Sequence, residues 1–204
     1  MSGVIYTIGH SNHEPDYFLE LLERHSISAL VDVRSRPYSR MNPQFNRENL
    51  KRLLEPREIV YVFLGRELGA RSEDPACYSE GKVQYDRLAQ TELFRQGLDR
   101  VSEGIETHRL ALMCAEKEPL ECHRTILVAR QLASRGVTVQ HILEDGSLET
   151  HQDTLARLRE KLKLPECDLF RTPEDILEEA YRLQGERIAY ELEMAAGPPG
   201  DEAL

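Results

Sequence analysis

The stretch RLALMCAEKEPLECHRTILVARQLASRGVTVQHIL, Arg109–Leu143, carries one full unit of an alternating design. Its apolar run up to Cys114 has the length of a strand buried on both faces, and VTVQHIL is a second such run. Between them TILVARQLASRG reads as a helix that stops at Gly136, a residue suited to the left-handed position past a helix end. Two strands joined through a helix run parallel, because a parallel pair needs a crossover and the crossover is right-handed. The same rhythm extends outward: VIYTI at 4–8, ISALVDV at 27–33 and EIVYVF at 58–63 are strand-like. Helical patterns lie between them, as in PDYFLELLERHS with Pro15 near its start and Phe18, Leu19 and Leu22 on one face. The expectation is a three-layer α/β fold: a mostly parallel sheet of about five strands with helices on both faces, plus C-terminal helices.

The chain's 204 residues suffice for one well-cored domain, expected over 1–150, with a helical extension over 151–194 and a disordered tail over 195–204. RELGARSEDPACYSEGKVQY, 66–85, breaks the rhythm and reads as a long functional loop or lid. The last acidic helix, within 174–193, reads as a solvated amphipathic face, with a homo-oligomer contact as the alternative. A formal charge of −10 argues against general attraction to nucleic acid or to an anionic membrane, and leaves room for local basic pockets. Four cysteines without secreted-type spacing, and no signal-like or long apolar segment, point to a reducing cytoplasm and free thiols rather than a disulfide.

In open α/β sheets ligands sit beyond the carboxyl ends of the strands. The first strand delivers Gly9, His10, Ser11 and Asn12 there, as catalytic and ligand-binding candidates or as an ordinary capped turn. The second delivers Arg34, Arg36 and Arg40, whose guanidinium forks suit phosphate or carboxylate, with Asp32 placed to orient an arginine or a loop amide. The third leads to Gly65 and Gly69, which match no nucleotide fingerprint. The fourth delivers Cys114, Glu116, Cys122, His123 and Arg124, the last three entering the first helical turn, where amide donors favour a thiolate.

Three chemistries compete for that corner. Zinc is disfavoured, because its ligands usually come in close pairs, and neighbouring Cys122 and His123 would point about 100° apart on a helix, so no metal ligand is assigned. Nucleophilic thiol chemistry fits the setting, though Arg124 stands too near Cys122 and too far from Cys114 for the familiar Cys–Arg phosphate loop. In the third, His123 and Arg124 bind or protonate an anion while the cysteines pack the corner.

TIGHSN, LVDVRSRPYSR, FLGRELG and LMCAEKEPLECHR, in this order, closely resemble the prokaryotic family catalogued as domain of unknown function 488, over about residues 3–145. The resemblance implies a cytosolic α/β protein whose characteristic residues include His10, Arg34, Arg36, Pro37, Cys114, Glu116, Cys122, His123 and Arg124, and it implies no reaction and no cofactor. The resulting expectation is a thiol- or His-dependent transferase or hydrolase. Cys122, His123, Cys114, His10 and Glu116 would serve catalysis, and Ser11, Asn12, Arg34, Arg36, Arg40 and Arg124 would bind the ligand. The substrate would be a small phosphorylated or nucleotide-like anion, free or within nucleic acid, the latter not favoured by charge. The alternative is a non-catalytic metal-binding or redox-sensing module.

Overall fold

The computed structural model describes residues 3–192, so the tail expected over 195–204 lies outside the described residues. The chain opens with β1 (Val4–Gly9), α1 (Pro15–Arg24) and β2 (Ala29–Asp32), then α2 (Arg47–Leu54) and β3 (Val60–Phe63). A small hairpin, β4 (Tyr78–Ser79) and β5 (Lys82–Val83), precedes α3 (Tyr85–Ala89), α4 (Glu92–Thr107) and β6 (Leu110–Cys114). A π-helical segment, Arg124–Ala129, runs directly into α5 (Arg130–Ser134). The chain continues through β7 (Thr138–Ile142), β8 (Leu148–Thr150), α6 (His151–Lys161) and α7 (Pro173–Ile188).

The main sheet has six strands in the order β3-β2-β6-β1-β7-β8, all parallel except β8, which runs antiparallel to β7. The sixth strand is the correction to the expected count. Gly146, at φ 82°, lets the chain reverse after β7, and Asp145 Oδ1 accepts from Ser147 N at 2.8 Å and Ser147 Oγ at 2.7 Å. The helix expected over 86–103 is interrupted after Ala89, where Thr91 starts a new one by accepting from Phe94 N at 3.2 Å.

Alternation along the strands divides the core into two layers. Leu110, Leu112 and Cys114 of β6 join the layer beneath α4, α5 and α7, while Ala111 and Met113 join the layer beneath α1 and α2. Cys114 therefore faces the same side as the helix that begins at Arg124. Parallel register sets Gly9 opposite Cys114 and Asp32 opposite Met113, so the carboxyl ends of β1, β2 and β6 meet at one edge. Helix α7 does not present a purely solvated face: Ile176, Ala180, Tyr181, Gln184 and Gly185 are buried, and Gln184 Nε2 donates to Leu120 O at 2.7 Å. Its far end thus arrives beside the loop after β6. Among the described residues no helix is long and apolar enough to cross a membrane.

Candidate active site at the ends of β1, β2 and β6

Asp32 ends β2 fully buried and organises the start of the next loop. Its Oδ1 accepts from Arg34 N at 3.1 Å and Arg34 Nε at 2.9 Å, and its Oδ2 accepts from Arg34 Nη2 and from Tyr61 Oη, both at 2.7 Å. Both the arginine and the loop amide are thus held by one carboxylate. Arg34 Nη1 donates to His10 Nε2 at 3.1 Å, which leaves His10 Nδ1 to donate to Ser11 O at 2.8 Å and fixes the neutral tautomer. Burial first, then the Arg34 charge, pushes the His10 pKa down to about 4. Stacked on Phe45 at 4.5 Å between ring centroids, His10 is a neutral brace for Arg34.

The segment after β6 brings two sulfurs and an imidazole together. His123 Nδ1 lies 3.7 Å from Cys114 Sγ and 3.9 Å from Cys122 Sγ, and the three donor atoms all fall within 4.8 Å of one another. His123 Nε2 meets Val33 O at 3.1 Å; a carbonyl only accepts, so Nε2 carries a proton and Nδ1 is left to face the sulfurs. Adjacent Cys122 and His123 do not diverge as two helical neighbours would, because Cys122 precedes the helix in extended backbone, φ −134° and ψ 137°. Cys122 Sγ also lies 3.0 Å from Glu116 Oε2, in hydrogen-bond contact.

The two thiols shift in opposite directions. Burial opposes charge on Cys122, yet the Cys114 thiol, Arg124 and His123 together hold it well below the ordinary thiol value. Cys114 is pushed well above that value by its hydrogen bond to Cys122 and by burial. The Glu116 carboxyl is raised by burial and then by Cys122. For His123 burial works against the charged ring, but Cys122, Glu116 and the Val33 carbonyl together outweigh it and raise the pKa.

Arg124 has a different task from the one its sequence position suggests. It is fully buried, and its guanidinium donates to the backbone carbonyls of Glu116 and Lys117, the latter at 3.0 Å, and to Thr7 Oγ1 at 3.4 Å. Those donors shape the loop. Gly9 serves the same loop: any Cβ there would fall onto the Glu116 carbonyl, so only glycine lets β1 pass so close. His10 N and Ser11 N complete the support by donating to Cys114 O and Ala115 O, each at 2.9 Å.

A cavity of about 260 Å³ opens above this framework. Arg34, Arg36, Cys114, Glu116 and His123 line it, together with Arg71, Tyr85, Glu121, Ile188 and Tyr190. Among the other sequence candidates, His10, Cys122 and Arg124 are buried and do not line it, nor do Ser11, Asn12 and Arg40. Residues missed by sequence reasoning come from the irregular loop and the C-terminal end. Arg71 lies in the long segment expected to be functional, though nothing singles it out there. Tyr190, over whose ring Arg71 sits at 4.2 Å, belongs to no motif. Glu121 is ion-paired with Lys161, whereas neither Arg36 nor Arg71 has an acidic partner among the described residues.

A family model described as Domain of unknown function DUF488 matches residues 14–131, more than half of the chain. The matched residues hold Arg34, Arg36 and the whole Cys114–Arg124 segment, and begin just after His10, Ser11 and Asn12. No curated protein and no solved structure matches the chain.

Proposed function

The chain belongs to the DUF488 family, and we propose that it is an enzyme acting on a small phosphorylated or carboxylate-bearing molecule held in the cavity above β1, β2 and β6. The observation that carries this reading is convergence: the guanidinium groups of Arg36 and Arg71, without an acidic partner among the described residues, line the same cavity as Cys114, Glu116 and His123. A guanidinium without an acidic partner is a fork of donors awaiting an oxyanion. Arg34, neutralised by Asp32, supplies shape more than charge. The cavity falls short of the about 300 Å³ at which pockets begin to take drug-sized ligands, which favours a small metabolite over a polymer.

In this reading Arg36 and Arg71 bind the anion, and Tyr190 holds Arg71 in place. The Cys114–Cys122–His123 group activates the reacting atom, and Glu116, which lines the cavity beside it, carries the proton. Calorimetric titration with inorganic phosphate tests the binding half. Wild-type protein should bind it, and Arg36→Ala or Arg71→Ala should each weaken binding about tenfold, the worth of one charge-assisted contact at a solvent-facing site. Absence of phosphate binding in folded wild-type protein, or binding indifferent to both substitutions, defeats the reading.

A further inference from the structure

The cluster of Cys114, Cys122 and His123 has the shape of a coordination site. Around a zinc ion, ligand sulfur at about 2.3 Å and ligand nitrogen at about 2.0 Å stand about 3.6 Å apart at tetrahedral angles. His123 Nδ1 stands 3.7 Å from one sulfur and 3.9 Å from the other, so a small closing movement brings both edges to that length. The ring is already turned for it: Nε2–H is bound to Val33 O at 3.1 Å, which aims the Nδ1 lone pair at the sulfurs. Metal-ligating histidines are oriented by this kind of outer hydrogen bond.

The spacing objection from sequence fails for a structural reason. Zinc ligands cluster in close pairs when one turn must supply them, but here Cys114 comes from a strand end and Cys122 and His123 from the chain's return to the same layer. The loop between them is held by backbone hydrogen bonds and by Arg124, so the ligands are positioned before any ion arrives. Two thiols and an imidazole are a soft set, suited to zinc and its neighbours and not to magnesium or calcium. Among the described residues three protein donors converge, and two of them, Cys114 and His123, line the cavity.

We propose that Cys114, Cys122 and His123 bind one zinc-like transition-metal ion whose fourth position opens into the arginine-lined cavity and takes a water or an oxygen of the anion. Three protein ligands with an open position are the arrangement of catalytic zinc sites, whereas structural sites are closed by four. Glu116, in contact with Cys122 Sγ, lines the same cavity. The use of the ion in catalysis rests on the function proposed above; the site itself rests on ligand geometry.

The full chain, purified under reducing conditions and stripped with a chelator, should take up one Co²⁺ per molecule with thiolate-to-cobalt charge-transfer absorption, displaced by Zn²⁺. Cys114→Ser and Cys122→Ser, which change little but the sulfur, should each weaken that absorption and the affinity, while Cys167→Ser, at an exposed thiol outside the cluster, should bind Co²⁺ as wild type does. Circular dichroism of each variant separates lost coordination from lost folding. Folded, reduced wild-type protein that takes up neither ion overturns the site, as does Co²⁺ uptake that survives both serine variants unchanged. If the ions fail to bind while inorganic phosphate still binds through Arg36 and Arg71, the metal site is wrong and the proposed function stands. Stoichiometric metal without phosphate binding supports the site and defeats that function.

Discussion

Replacing Asp32 by Asn tests how the arginine-bearing side of the cavity is built. The substitution keeps size and shape but puts an amide N–H where Oδ2 accepts from Arg34 Nη2 and Tyr61 Oη, both at 2.7 Å, so donor meets donor. Asp32 is fully buried and Arg34 nearly so, at 5 % exposure, so water cannot replace the lost acceptor. Breaking a buried pair from one side leaves an uncompensated charge and costs about 3–5 kcal/mol. For a chain of this size each kcal/mol lowers Tm by about 2–4 °C, so Asp32→Asn should melt about 6–20 °C below wild type. Thermal and urea unfolding followed by circular dichroism measure it. The double variant Asp32→Asn, Arg34→Met removes both charges and should regain most of the loss, because the penalty belongs to the stranded guanidinium and not to the missing bond. A single-variant loss below about 1 kcal/mol, within what an ordinary exposed ion pair is worth, would refute the reasoning. So would a double variant that is no better than the single one.

Two further outcomes are expected from the same framework. Gly9→Ala should destabilise the fold and disturb the Cys114–His123 group together, because the new Cβ meets the Glu116 carbonyl and the Lys117 backbone; unfolding midpoints and thiol reactivity with a chromogenic disulfide should both shift, and an unchanged reactivity would count against the loop's role. Stability should also fall as pH drops from 6.5 toward 4: His10 and His151 have pKa values lowered by burial to about 4, and His141 is lowered by burial and by His151. Across that window the unfolded chain binds protons that the folded chain refuses, giving a slope of up to about 4 kcal/mol per pH unit for three groups. Glu116, raised by burial, opposes it over part of the range, so urea unfolding at several pH values should give a positive slope below that limit. A flat profile would mean that these histidines are solvated.

How far the sequence reaches depends on how local each cause is. Strand alternation and the Gly136 helix end are local, and both are present in the fold. Asp32 and Arg34 are two residues apart on one strand end, so their pairing is legible as an orienting carboxylate. β8 escapes because three residues after a tight turn carry too little pattern to read as a strand. Arg71 and Tyr190 escape because their meeting depends on where α7 docks, which no spacing encodes. Arg124 reads as a ligand-binding residue because a free guanidinium and one spent on backbone carbonyls have the same sequence signature.

That last ambiguity bears on how the site works. The loop from Ala115 to Glu121 is fixed from beneath by Arg124, by His10 N and Ser11 N, and by the absence of a Cβ at Gly9. Above the loop, Cys114, Glu116 and His123 face the cavity. The motif residues therefore form two sets, one gripping backbone and one presenting donors, and the first determines the geometry of the second. Arg124 is itself tied through Thr7 Oγ1 at 3.4 Å to a buried chain: Thr7 to His141 at 2.8 Å, His141 to His151 and His151 to Tyr181, both at 3.0 Å. Tyr181 sits on α7, whose continuation brings Ile188 and Tyr190 to the cavity wall. The same buried network thus anchors the loop under the Cys/His group and the helix that leads to the opposite wall. Protonating its histidines should therefore loosen both walls together.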